Sequence, residues 1–227
     1  MPALKAIFLS LALAIGPAAA LAERTDWNTL PDPAAQEYED PYRDLSSEQI
    51  YDLVTIVRLR DRLEEGVEND TARARVEERL LGIETDLADQ GIDVDWLIGQ
   101  RWVVAERREK AARAANPLLD GTTASLGGFL IPAPAAADGQ AYAYLVPQLG
   151  QCSHTPPPPP NQLIRLRLNA SFAAEGIYTP VLVTGTLRME PSNVPIMVVD
   201  GTVPMDSSWT LETSQIEVFG RGGLVQN

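Results

Sequence analysis

The sequence predicts an α+β protein: an N-terminal helical segment followed by a small five-stranded antiparallel β domain, with an OB-like barrel as the preferred arrangement. Three observations point there. Apolar residues recur at helical spacing within residues 46–117, short segments of β-branched, aromatic or alternating residues replace them after Asp120-Gly121, and Gly, Pro, Asn and Asp separate those segments.

The N-terminus reads as a targeting segment. Lys5 supplies a positive charge, Ala6 to Ile15 form an apolar run too short to span a bilayer, and Gly16-Pro17 break it. Ala20-Leu21-Ala22 places small residues where a signal peptidase cuts, so residues 1–22 are expected to be a cleaved signal peptide. No cysteine follows the run to take a lipid anchor, and the mature chain is expected in the periplasm without membrane insertion. Residues 23–45, rich in Pro, Asp and Glu with scattered aromatics, read as an extended arm.

The helical segment, 46–117, opens at Ser46-Ser47-Glu48-Gln49, a capping box. Ile50, Leu53, Val54 and Val57 share one helix face, and Gly66 with Asn69-Asp70 marks a turn. Val76, Leu80, Ile83 and Leu87 repeat the pattern until Gly91. A third helix starts at Asp93 or Asp95, uses Leu97, Trp102 and Val104, and ends before Asn116-Pro117. The β domain, 120–220, carries candidate strands Ala124–Pro132, Ala141–Pro147, Leu163–Leu168, Val181–Met189 and Trp209–Phe219, and residues 221–227 read as a tail.

Charge narrows the partners. The chain has 31 acidic and 18 basic side chains, a net charge of −13 that becomes −14 when Lys5 is lost with the leader. Such a surface repels phosphates and anionic lipid, and no basic stretch interleaved with aromatics offsets it, so nucleic acid is not an expected partner. No phosphate-binding glycine loop, H-E-x-x-H motif or serine elbow is present.

One loop concentrates the unusual chemistry. Cys152 and His154, the single Cys and single His of the chain, stand two apart, just ahead of five prolines, Pro156 to Pro160. In an extended segment residues i and i+2 share a face, so thiol and imidazole would converge, and both are ligands for zinc or copper. Two ligands do not complete a zinc site; others would be carboxylates, water or groups from a partner. A Cys–His nucleophilic pair lacks an assignable orienting residue. The alternative is structural: Cys152 and His154 pack a loop stiffened by the prolines, which fix φ and favour a polyproline II rib able to dock on another protein.

Gly128-Phe129-Leu130-Ile131-Pro132, Tyr144-Leu145-Val146-Pro147, the run Gly150-Gln151-Cys152-Ser153-His154-Thr155 through the prolines to Asn161-Gln162, and Val183-Thr184-Gly185-Thr186-Leu187 resemble the uncharacterised bacterial DUF3299 family of exported proteins. The resemblance marks Cys152, His154, Asn161 and Gln162 as its hallmark positions. It implies an exported protein or lipoprotein encoded beside ABC transporter components, with a link to zinc. Two readings remain: an envelope accessory protein holding zinc or copper at Cys152 and His154 beside an ABC transporter component, or a non-catalytic interaction module in which both residues are structural.

Overall fold

The computed structural model describes residues 24–137, 139–152, 155–169, 176–198, 201–220 and 223–225. Residues 1–22, read above as a leader, lie outside the described residues.

Three long helices follow the periodicity of the sequence. Short helix α1 (Pro33–Gln36) precedes α2 (Ser47–Glu65), α3 (Asp70–Asp89) and α4 (Val94–Arg113). Ser46 and Gln49 form the reciprocal capping box at the start of α2, and the Asn69 and Asp93 side chains cap α3 and α4. Leu53, Ile56, Leu87, Val94 and Leu97 close a small core between the helices. Arg60 of α2 ties the other two together through Glu84 and Asp95, each at 2.6 Å. Trp102 departs from the sequence reading of a packed apolar position: it is 72% exposed.

The segment read as an extended arm contains two short helical turns and is anchored along its length. Leu30 is fully buried against the β domain, the Trp27 indole N–H donates to Gly127 O at 2.8 Å, and the Tyr42 hydroxyl donates to Leu97 O.

The β domain is built on β1 (Thr123–Pro132), β2 (Tyr142–Val146), β3 (Ile164–Arg167), β4 (Thr179–Arg188), β5 (Ser192–Val198), β6 (Gly201–Ser207), β7 (Trp209–Gly220) and β8 (Gly223–Val225). β1 to β4 and β7 close into a five-stranded barrel in the order β1-β2-β3-β7-β4, the OB-like arrangement expected from the sequence. The expectation of a purely antiparallel sheet needs correcting, because β3 and β7 run parallel. Geometry requires this: strands alternating in direction cannot close a ring of odd number without one parallel pair.

Beyond the five barrel strands, β5 and β6 form a separate hairpin, and β8, within the stretch read as a tail, pairs antiparallel with the end of β7. Gly185 sits at the β4 irregularity where a Cβ would come within 2.3 Å of Glu212 O, so glycine permits the close approach of β4 and β7 there.

The barrel wall is buried on both faces near β1 and β2. Leu126, Leu130, Leu145, Ile164, Val183 and Trp209 fill the interior. Ile131, Tyr144 and Val146 point the other way, where Ile196 and Met205 of the β5–β6 hairpin cover them. Two-sided burial explains why Tyr144-Leu145-Val146 shows no polar alternation.

Candidate functional site

Backbone hydrogen bonds flank Cys152 on both sides. Cys152 N donates to Thr155 O at 3.0 Å and Thr155 N to Gly150 O at 3.1 Å. Cys152 itself takes a left-handed backbone conformation, φ 70°, a cost of about 1–2 kcal/mol for a non-glycine residue. Tyr178, also left-handed at φ 61°, braces the turn by donating its hydroxyl to Gln151 O at 2.6 Å.

The thiol points into packing. Cys152 is 2% exposed and belongs to the apolar cluster of Ile131, Tyr144, Val146, Leu163, Ile196 and Met205. Burial pushes its pKa up to about 11. A thiol in that range is almost wholly protonated at neutral pH, the reverse of what a nucleophile or ready metal ligand requires. His154 and Ser153 lie outside the described residues. Among the described residues no three His, Cys, Asp or Glu side chains converge in a way that could hold a metal ion.

Asn161 has a clear task. It is 2% exposed, and its amide donates to Ala111 O at 2.8 Å and to Ala114 O at 3.0 Å, two carbonyls at the C-terminus of α4. Those carbonyls lack partners within their own helix and lie at its negative pole, so a buried donor is needed there. Other segments supply more: Gln36 Nε2 to Ala111 O at 3.0 Å, Asp32 N to Ala114 O at 3.0 Å, and Ser208 Oγ to Arg113 O at 2.7 Å. Arg113 adds a bond to Asp206 at 2.9 Å.

The proline run delivers Asn161 to this socket. Pro158 is buried, Pro156, Pro157 and Pro159 face solvent, and Pro160 to Gln162 turn into β3. Gln162 is half-buried, and its backbone N–H donates to Pro159 O at 2.8 Å. Two of the four singled-out residues, Cys152 and Asn161, are therefore brought into structural roles, in different clusters.

The barrel's outward arginines are internally matched. Arg165 reaches Glu190 at 2.8 Å and stacks over Tyr142, while Arg167 reaches Glu190 at 3.2 Å and Glu212 at 3.6 Å.

The sequence reading missed a groove between α2 and α4. Its space is about 450 Å³; Ile50, Leu53, Val54 and Val57 line it from α2, and Ile98, Val104, Arg101 and Arg108 from α4. Arg108 is held by Asp40 through two bonds of 2.8 and 3.0 Å, and this pairing lowers the Asp40 pKa. Among the described residues Arg101 donates to the carbonyl of Ile98 at 3.0 Å and lies 5.4 Å from the centre of the Trp102 ring. The available signal was the i, i+3, i+4, i+7 row of α2, which is wider than its small core needs.

Fold and site together define a helix-bearing, closed mixed barrel with a proline-rich clamp. The sequence matches the family model described as "Protein of unknown function (DUF3299)" over residues 99–218, and the chain belongs to that family. The match takes in most of α4 and the barrel, leaving α2 and α3 outside. A crystal structure of a DUF3299 family protein from Pseudomonas aeruginosa PAO1, at 2.45 Å resolution, is similar at 25% identity with a TM-score of 0.37, covering 48% of this chain and 68% of that one. No curated protein matches the sequence.

Two outcomes test this geometry. Asn161→Ala should lower the unfolding free energy by about 2 kcal/mol, two buried hydrogen bonds being lost. Asn161→Asp should lower it further, since a carboxylate would face the negative helix end; urea denaturation checks both. For Cys152, the folded pKa lies above the reference 9.0, so the native state holds its proton more tightly and stability falls as pH rises from 9 to 11. Denaturation of Cys152→Ala across that window should lack this component of the decline.

Proposed function

We propose that this protein is a non-catalytic protein–protein interaction module of the cell envelope, exported to the periplasm, whose barrel is the frame and whose helices are the working surface. The observation that carries the proposal is where its exposed aromatics sit. Tyr51, Trp96 and Trp102 are 60%, 52% and 72% exposed and all lie on α2 and α4, the helices that form the open groove. Tryptophan, tyrosine and arginine dominate the energetics of protein interfaces. The sealed Cys152 and the clamped Asn161 support a structural role for the loop. The export component rests on residues 1–22.

The competing reading is an accessory protein that binds zinc or copper and serves an ABC transporter component; its support is the two-residue spacing of Cys152 and His154. It requires the buried thiol to lose its proton and reach further ligands.

A photo-crosslinking residue placed at Trp102 or at Leu149 in whole cells tests the interaction module. Leu149 is 64% exposed but lies on the barrel loop, so the expectation is one discrete adduct from position 102 and none from 149. Absence of an adduct from every exposed position of α2 and α4 would overturn the reading. Titration with Zn²⁺ and Cu(I) under reducing conditions separates the two functions. Wild type and Cys152→Ser should bind weakly and alike; a tight site lost in the variant would favour the metal reading instead.

A further inference from the structure

We infer that the α2/α4 groove receives an amphipathic helix of a partner protein, with an apolar stripe for the floor and acidic residues along one flank. This rests on the interaction reading and names the chemistry of the partner.

Shape comes first. Ile50, Val54 and Val57 recur at i, i+4 and i+7 on α2, and Ile98, Arg101, Ala105 and Arg108 at i, i+3, i+7 and i+10 on α4. Two helical rows side by side leave a furrow into which the ridge of a third helix packs. Tyr51 and Trp102, 60% and 72% exposed, stand next in sequence to the lining residues Ile50 and Arg101. A small amphiphile would leave those rings uncovered; a helix with flanking side chains reaches them.

Charge selects the flank. The chain has 31 acidic residues, yet among the described residues no carboxylate lines the groove. Its two charged lining residues are arginines, and they differ. The Arg108 charge is matched by Asp40, whose side chain is almost buried. Arg101 has no ion pair among the described residues and sits at the rim over Trp102. An unmatched guanidinium beside a tryptophan at the edge of an apolar floor favours an acidic neighbour over a basic one. A second copy of this chain would bring the same arginine to the contact, and none of the described residues lining its groove carries a carboxylate to meet it.

The experiment is calorimetric titration of the full chain with two synthetic peptides, each about eighteen residues long so that a helix can form. Both carry leucines at i, i+3, i+4, i+7 and i+11; one has glutamates along a flank and the other lysines. The glutamate peptide should bind at least tenfold more tightly at low salt, with the difference shrinking as salt is added. Arg101→Ala should erase the preference, and Arg101→Glu should reverse it. Val54→Glu, at a position 42% exposed, should weaken binding of both peptides at least tenfold with little change in thermal midpoint.

Equal affinity for the two peptides, or binding untouched by Val54→Glu, would overturn the proposal. So would a concentration-dependent dimer of the full chain that Val54→Glu abolishes, which would make a second copy the occupant. If neither peptide binds while the crosslink from position 102 still forms, the partner chemistry is wrong and the interaction module stands. If both fail, the module falls as well.

Discussion

The C-terminal carbonyls of α4 are the constraint around which this molecule is arranged. A helix end buried without donors would leave several strong acceptors unsatisfied at a negative pole, a cost of about 1–3 kcal/mol for each such group. Here donors arrive from three separate stretches: Asp32 and Gln36 of the arm, Asn161 of the proline loop, and Ser208 between β6 and β7. The same bonds that satisfy the helix fix its position on the barrel. The prolines fit this task because they carry no N–H groups that would need partners of their own, so the loop can run over the surface and offer only its terminal amide to the socket.

Cys152 is explained by a second constraint, the two-sided barrel wall. Where β1 and β2 are covered inside by the barrel core and outside by the β5–β6 hairpin, the turn at 150–155 must supply a small apolar plug. A thiol meets that need, because buried cysteine behaves as a small hydrophobe. Its left-handed backbone is the cost, and the Tyr178 hydroxyl bond to Gln151 O helps to hold the turn in place. Chemical rarity in the sequence thus corresponds to a packing position.

What the sequence made legible followed from local rules. Ser46 with Gln49 read as a capping box and is one, the turn read at Asn69-Asp70 is where Asn69 caps α3, and of the two starts read for the third helix Asp93 is the cap. The five barrel strands were readable from alternation and turn residues, each within a few positions. The β5–β6 hairpin was not, because Pro195 and Pro204 stand opposite each other in its ladder and proline removes the donor a strand normally uses. The parallel pairing of β3 with β7 joins residues 45 positions apart, such as Ile164 and Trp209, and no local pattern encodes it. Asn161 could be read as a side-chain amide tying the end of the proline rib, but its partners, Ala111 and Ala114, are ones a linear reading does not connect to it. The groove escaped for the same reason: each wall was visible as a helical row, but that one row remains open is a property of their packing.

The distribution of ion pairs then separates the two halves of the protein. On the barrel, Arg165, Arg167 and Arg188 are drawn into one network with Glu190 and Glu212, with distances from 2.8 to 3.6 Å. A strand face rich in arginine, the kind of surface that takes anionic ligands, is thereby paired within the protein, three guanidiniums sharing two carboxylates, and any ligand would compete with those pairs. On the helices, the groove residue Arg101 has no ion pair among the described residues. It stands over an exposed tryptophan at the edge of an apolar furrow, with no carboxylate among the described lining residues to compensate it. An exposed surface pair contributes little to stability, commonly below about 1 kcal/mol, so an unmatched charge costs the fold little. Its worth would come on binding, when water leaves the groove and the same guanidinium meets a carboxylate in a less polar setting, where charge pairing is stronger and discriminates between partners.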